Sequence, residues 1–343
     1  MNIFIRVDAS IEIGTGHVMR CLTMASQLKK EGKNVFFICR KADGDCSPLI
    51  KEKGFKIIHL PSIRGSLWKY IEEHWRLDAE QSIDILKKYH VHQLIIDHYS
   101  IDKKWEQLVR AYTDEIMVID DLANRPHDCD ILLDQNFYLN MESRYEYLVP
   151  KHTSLLLGPR YALLRDEFIE AKSNIKPFKK KIERLFIFFG GSDPTNETEK
   201  VLHAIIPLMK RYNIQVDVVV GNLNPKRLYI EQLCKNIQGA NYYCQINNIS
   251  ELMVNADLAI GAGGVATWER VYLELPTIVI AVAENQIEVA SALTTTNSII
   301  YLGESHSLNE KDIQKTVEYI FERPHELKKM CQSCRLLMEC EGV

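Results

Sequence analysis

The stretch Gly14-Thr15-Gly16-His17 joins a glycine turn to the side chain best suited to move protons near neutral pH. It follows the apolar run Ile3–Val7, which reads as a buried strand, and opens the periodic segment Val18–Leu28, which reads as a helix. A glycine turn at such a junction lets a ligand approach the backbone, and the helix start favours negative charge there. A dinucleotide fingerprint would need a third glycine at position 19, where this chain has Met19. The turn therefore reads as a device for presenting His17. The competing reading is a structural strand-to-helix turn with an exposed histidine.

Two more glycine turns follow strand-like runs in the second half. Gly190-Gly191-Ser192-Asp193-Pro194 comes after Leu185–Phe189, with Pro194 suited to the first turn of a helix and Asp193 to its cap. Gly261-Ala262-Gly263-Gly264 comes after Asp257–Ile260 and before Thr267-Trp268-Glu269-Arg270. Bare N–H groups there suit a phosphate or diphosphate. The sequence has no G-x-x-x-x-G-K-[ST] loop, so a lysine for phosphoryl transfer is not supplied in that form. Glu269, about one turn into its helix, is placed to accept both hydroxyls of a ribose, or merely to complement the helix dipole.

Polar groups also stand at strand ends. Glu284-Asn285-Gln286 follows the strand Thr277–Val282 and reads as cleft-lining or as a helix cap. Asp97-His98-Tyr99 ends the strand with Leu94-Ile95-Ile96, and His98 and Tyr99 suit sugar contacts. Asp120-Asp121 ends the next strand and reads as turn chemistry. Neither set has zinc-ligand spacing.

These groups need a frame. Strand-like runs Ile3–Val7, Val35–Cys39, Lys56–Leu60, Gln93–Asp97, Ile116–Ile119 and Ile131–Asp134 alternate with helical patterns. The pattern breaks near Gly158-Pro159 and restarts at Leu185, with Gln215–Val220, Leu258–Ile260, Thr277–Ile280 and Ser298–Leu302. Alternation of this kind predicts α/β architecture, two Rossmann-like doubly wound domains facing a cleft. The boundaries are 1–157, a linker at 158–183, and 184–343 for the nucleotide-holding domain.

The 343 residues are 46% hydrophobic and 26% charged, with a formal net charge of −4, which argues against a general nucleic-acid binder. Lys179-Lys180-Lys181 reads as a solvated edge. No apolar run reaches the roughly 18 residues of a membrane span, and no leader pattern opens the sequence, so a cytoplasmic location is expected. Nine cysteines fit reduced thiols, and Cys331-x-x-Cys334 reads as helix packing.

The combination resembles the PseG family, UDP-sugar hydrolases of pseudaminic acid biosynthesis. The resemblance runs through Arg6–Ser10, Ile13–Thr23, Ile96–Tyr99, Ile119–Ala123, Arg125–Asp130, Leu133–Asn136, Gly158–Arg165, Gly190–Asp193, Gly261–Gly264 and Ala283–Gln286. It implies a glycosyltransferase-B-type fold with UDP held mainly by the second domain. It implies UDP-2,4-diacetamido-2,4,6-trideoxy-β-L-altropyranose and water as partners, with UDP displaced at the anomeric carbon and inversion there. His17 maps to the catalytic base, and Tyr99, Arg165 and Asn285 to substrate contacts.

The full expected site adds Gly14, Gly16, Arg20, His98 and Gln286 around the sugar, and Gly190, Gly191, Gly263, Gly264 and Glu269 around the nucleotide. Neither metal nor cofactor is implied, and neither nucleic acid nor membrane is an expected partner. The pathway implies surface polysaccharide and flagellin glycosylation. This chain departs from the family at Val265-Ala266, where a small hydroxyl residue is common, and it stops at Gly342-Val343, where relatives commonly continue into another helix. A UDP-sugar glycosyltransferase of the same fold and a non-catalytic UDP-sugar binder are the alternative readings.

Overall fold

The computed structural model describes residues 1–10, 13, 15–176 and 181–339. The chain divides into two compact units, residues 1–136 with 140–163, and residues 137–139 with 164–343. Of the expected linker, residues 164–176 belong to the second unit and carry the helix Asp166–Ala171, while 177–180 lie outside the described residues, as do Lys179 and Lys180 of the lysine run.

The first unit is one parallel sheet of seven strands: β1 (Asn2–Val7), β2 (Asn34–Arg40), β3 (Lys56–Leu60), β4 (Gln93–Asp97), β5 (Glu115–Ile119), β6 (Ile131–Asp134) and β7 (Ser154–Leu157). Their spatial order is β3-β2-β1-β4-β5-β6-β7. The second unit is a parallel sheet of six: β8 (Arg184–Phe188), β9 (Gln215–Val220), β10 (Ala240–Cys244), β11 (Leu258–Ala262), β12 (Thr277–Ala281) and β13 (Ile299–Glu304), in the order β10-β9-β8-β11-β12-β13. Both sheets are doubly wound, as the alternation predicts. β7 and β10 are edge strands that the sequence pattern did not reveal.

Strand periodicity explains why both faces are covered. Ile3, Ile5 and Val7 pack into one core of the first unit, and Phe4 into the core on the opposite face. Leu185, Ile187 and Phe189 do the same against Phe186 in the second unit. Successive side chains of a strand point to opposite faces, so an apolar run lacking alternation must be buried twice.

The strand order decides where the chemistry falls. β1 and β4 are neighbours, with Val7 opposite Asp97. The order reverses at that point, which is where open α/β sheets hold ligands. The second sheet repeats the device at β8 and β11, where Phe188 pairs with Gly261.

Candidate active site

The helix Gly16–Lys30 follows β1 and puts His17 in its first turn. His17 is only 8% exposed, so the reading of an exposed turn histidine does not hold. A Cβ on Gly16 would meet no described atom within 4 Å, so that position is open. Gly14 lies outside the described residues.

His17 Nδ1 lies 2.5 Å from Asp97 Oδ1. Arg20 Nη2 also approaches Nδ1, at 3.2 Å, but an arginine only donates and Asp97 is held ionised. The short contact to a carboxylate therefore makes Nδ1 the protonated nitrogen. Nε2 is left as the acceptor and makes no hydrogen bond among the described residues.

Asp97 is itself clamped. Arg20 donates from Nε to Oδ2 and from Nη2 to Oδ1, each at 2.6 Å, and Cys21 Sγ lies 3.4 Å from Oδ2. Burial works against the carboxylate's charge, but Arg20 and His17 together hold its pKa well below the usual carboxylate range. Arg20 Nη1 reaches Asp121 Oδ2 at 2.8 Å, and Tyr99 Oη donates to Asp121 Oδ1 at 2.5 Å. Arg20, expected near the sugar, thus spends its guanidinium on two carboxylates. Asp121, expected as turn chemistry, belongs to the site network, whereas Asp120 does form a turn by accepting the Ala123 N–H and the Arg125 guanidinium.

Aromatic rings wall this network. Tyr99 meets the His17 ring edge-on at 4.5 Å and stacks on Trp68 at 5.5 Å with planes 6° apart. Trp68, on the helix Leu67–Glu73, was not foreseen; no motif marks it, since it reaches the site from a helix distant in sequence. His98, expected to contact sugar, is buried instead. Its Nδ1 accepts the Ser100 N–H at 3.0 Å, and Nε2 faces Asp8 Oδ2 at 3.4 Å. Burial lowers its pKa, with Asp8 opposing the effect. Nδ1 is thus committed to the fold, and the buried Nε2 faces Asp8 without a hydrogen-bond partner among the described residues.

In the second unit, Asp193 accepts the N–H groups of Glu197 and Thr198, each at 2.9 Å. It caps as expected, but the helix is Glu197–Tyr212 and Pro194 lies in the turn before it. That helix end therefore already holds its own carboxylate. Gly190 adopts φ +89°, a conformation suited to glycine, and Gly191 packs its backbone against Gly221.

The turn after β11 leads into the helix Ala266–Tyr272. Gly263 donates its N–H to Gln286 Oε1 at 3.1 Å, and Val282 donates to the same oxygen at 3.1 Å. Gln286, expected near the sugar, ties two strand ends together. Asn285 is exposed on the short turn Glu284–Gln286. Glu269 Oε1 accepts from Arg165 Nε at 2.9 Å, and Arg165 also pairs with Glu167 at 2.6 Å. The structure thus joins Arg165, expected at the sugar, to Glu269, expected at the ribose.

Residues 185–336 match the glycosyltransferase family 28 C-terminal domain. The chain is 29% identical over 294 residues to a UDP-2,4-diacetamido-2,4,6-trideoxy-β-L-altropyranose hydrolase of Campylobacter jejuni, covering 85% of this chain and 96% of that one. The chain is a homologue of this hydrolase. An uncharacterised protein of Methanocaldococcus jannaschii is 28% identical over 297 residues, 84% of this chain, which spans 57% of that relative's length. Among solved structures, the Streptomyces glycosyltransferase SsfS6 complexed with thymidine diphosphate has a TM-score of 0.61 at 14% identity, covering 98% of this chain and 96% of that one. The glycosyltransferase-B-type fold is therefore shared well beyond the reach of sequence identity.

The C-x-x-C pair follows its expected packing role. It lies in the helix Pro324–Glu339, where Cys334 is buried with Sγ 3.3 Å from the Ser298 carbonyl. Among the described residues no helix is long and apolar enough to cross a membrane.

Proposed function

We propose that the protein hydrolyses UDP-2,4-diacetamido-2,4,6-trideoxy-β-L-altropyranose to UDP and the free sugar, with inversion at C1. The observation that carries the reading is the pair of Asp97 and His17, with Nε2 free to accept a proton. UDP is a competent leaving group, so water needs aiming and partial deprotonation more than activation of the bond. His17 Nε2 takes a proton from water. The water oxygen bonds to C1 while the C1–O bond to the β-phosphate breaks, and its electron pair leaves with UDP. Attack on the face opposite the leaving group inverts C1.

Asp97 keeps the imidazole in the tautomer that can act as base and stabilises the imidazolium that forms. Arg20 holds Asp97 ionised and in place. Tyr99 and Trp68 supply an apolar wall for a deoxy, N-acetylated sugar. The second unit takes UDP, a reading supported by its glycosyltransferase family 28 domain, by a relative named for a UDP-sugar, and by a nucleoside diphosphate in a structural neighbour. Glu269 accepts the ribose hydroxyls, with Arg165 beside it, and Asn285 positions the sugar.

A transferase reading is favoured by one observation, the family 28 domain itself. The two separate in one experiment. The protein is incubated with a panel of UDP-sugars in 18O-labelled water without acceptor. Hydrolysis releases UDP and places the label on the anomeric hydroxyl, with the inverted anomer seen first by NMR. Label on UDP, or UDP release that depends on an added acceptor, would overturn the hydrolase reading.

A further inference from the structure

Among the described residues, Arg270 is a buried cation without a counter-ion. It stands on the helix Ala266–Tyr272 and is 1% exposed. Its Nη2 donates to the Ala262 carbonyl at 2.6 Å and to Thr267 Oγ1 at 3.1 Å. Nε and Nη1 have no hydrogen-bond partner among the described residues, and no ion pair forms. The other deeply buried arginines differ. Arg6, Arg20 and Arg40 each hold one or two carboxylates within 2.9 Å. Burial pushes Arg270 down to about 10, with Glu269 opposing the effect. A desolvated, unpaired guanidinium is costly to hold in the fold, so an anion from outside it is the natural complement.

The position of that charge is specific. A Cβ on Gly261 would lie 2.7 Å from Arg270 Nη1 and 2.5 Å from the Phe188 carbonyl. Gly261 therefore makes room for the neighbouring strand's backbone and the arginine rather than for a ligand. The Ala262 carbonyl is anchored inward by Arg270, and the Gly263 N–H is taken by Gln286. The N–H groups of Gly264, Val265 and Ala266 make no hydrogen bond among the described residues. One short turn thus carries an unneutralised charge on its inner side and unengaged donors beside it.

We infer that Arg270 is the internal counter-cation of the diphosphate, a positioning residue that fixes the turn through Ala262 and sets its positive potential without touching the ligand. The inference rests on the reading that UDP binds the second unit. A buried charge is screened little by salt and acts on phosphate charge, not on the nucleoside. It therefore sets the preference for UDP over uridine.

The test uses the full-length protein, with UDP and uridine affinities measured by calorimetry for wild type, Arg270→Met, Arg270→Gln and Arg270→Lys, and thermal melts of each without ligand. Arg270→Met and Arg270→Gln should weaken UDP tenfold or more and leave uridine unchanged. Arg270→Lys should keep most of the preference. Melting of the ligand-free Arg270→Met protein should be unchanged or raised, because an unpaired buried cation is removed. If Arg270→Met fails to fold, Arg270→Gln against Arg270→Lys makes the same comparison of charge at similar polarity. Equal losses for UDP and uridine, or an unchanged ratio with a lowered melting temperature, would reduce Arg270 to a structural role. A wild-type protein that binds no UDP would overturn the functional reading as well, whereas UDP binding with an unchanged ratio in the variants overturns this inference alone.

Discussion

Asp97 Oδ1 sits 2.5 Å from His17 Nδ1, and the same carboxylate is gripped on both oxygens by Arg20. The arrangement makes the tautomer of His17 depend on a residue 80 positions away in sequence. It gives the proposed mechanism its sharpest consequence. Asp97→Asn offers an amide N–H to Nδ1 and so favours the tautomer with Nε2 protonated. Turnover should fall by about two to four orders of magnitude, as should His17→Ala, because each removes the base. The double variant should be no worse than either single one. UDP affinity should hold in all three. Near-normal turnover in Asp97→Asn, with circular dichroism showing an intact fold, would remove His17 and Asp97 from the mechanism.

The aromatic wall gives a second expectation. Tyr99→Phe keeps the ring on Trp68 and removes the hydroxyl that donates to Asp121, so steady-state kinetics should change less than about tenfold. Trp68→Ala removes the ring beneath Tyr99. It should raise KM more than it lowers kcat, since the role assigned to it is binding and not proton transfer. A fall in kcat at constant KM would argue that Trp68 acts on the base instead.

Asp134 predicts a pH dependence of stability. It is buried beside Asp121 and Asp120, and burial with these like charges pushes its pKa up to about 8, while Tyr145 and the Asn136 N–H oppose the rise. The folded state therefore binds this proton more tightly than the unfolded chain, whose value is ordinary, near 3.8. The stabilisation is complete below the ordinary value and is lost as pH rises toward 8. Asp134→Asn keeps the site uncharged, so melting temperatures between pH 4 and about 8 should fall less steeply than in wild type. An identical slope in the two proteins would show that Asp134 is ionised in the fold.

Two glycines should respond oppositely to the same change. A Cβ on Gly221 would fall 2.3 Å from the Gly191 carbonyl oxygen, which is backbone and cannot swing aside. Gly221→Ala should cost about 1–3 kcal/mol in denaturant unfolding and displace the Gly190–Gly191 loop. A Cβ on Gly264 would meet Gln286 Nε2 at 3.8 Å, an ordinary contact. Gly264→Ala should fold within about 1 kcal/mol of wild type. Equal effects at the two positions would mean that the packing of the Gly191 loop differs from that described.

Much of the scaffold was legible in the residues alone. Runs such as Ile3–Val7 and Leu185–Phe188 are apolar on both faces, which only a strand covered on both sides can satisfy. Their alternation with helical patterns was enough for two parallel sheets. The two strands that escaped notice, Ser154–Leu157 and Ala240–Cys244, lie at sheet edges and are only partly buried, so their apolar signal is diluted. His17 stood out because its turn is local. Asp97, Tyr99 and Asp121 also stand out as residue types at strand ends, whereas Trp68 comes from a helix that no motif marks.

What the sequence left open was the pairing of those groups. Asp97 reads as one carboxylate among several at strand ends, and nothing local distinguishes it from Asp120. Strand order makes β4 the neighbour of β1 and so brings Asp97 to His17, while Arg20 follows one helical turn later to hold it. The same ordering buries His98 against Asp8, turns Gln286 toward Gly263 and leaves Arg270 without a carboxylate among the described residues. Residue type and local spacing determine which groups can hold a proton or a charge. Which group faces which depends on contacts such as those 23 and 101 residues apart in sequence, and those exist only once the sheets have closed on their cores.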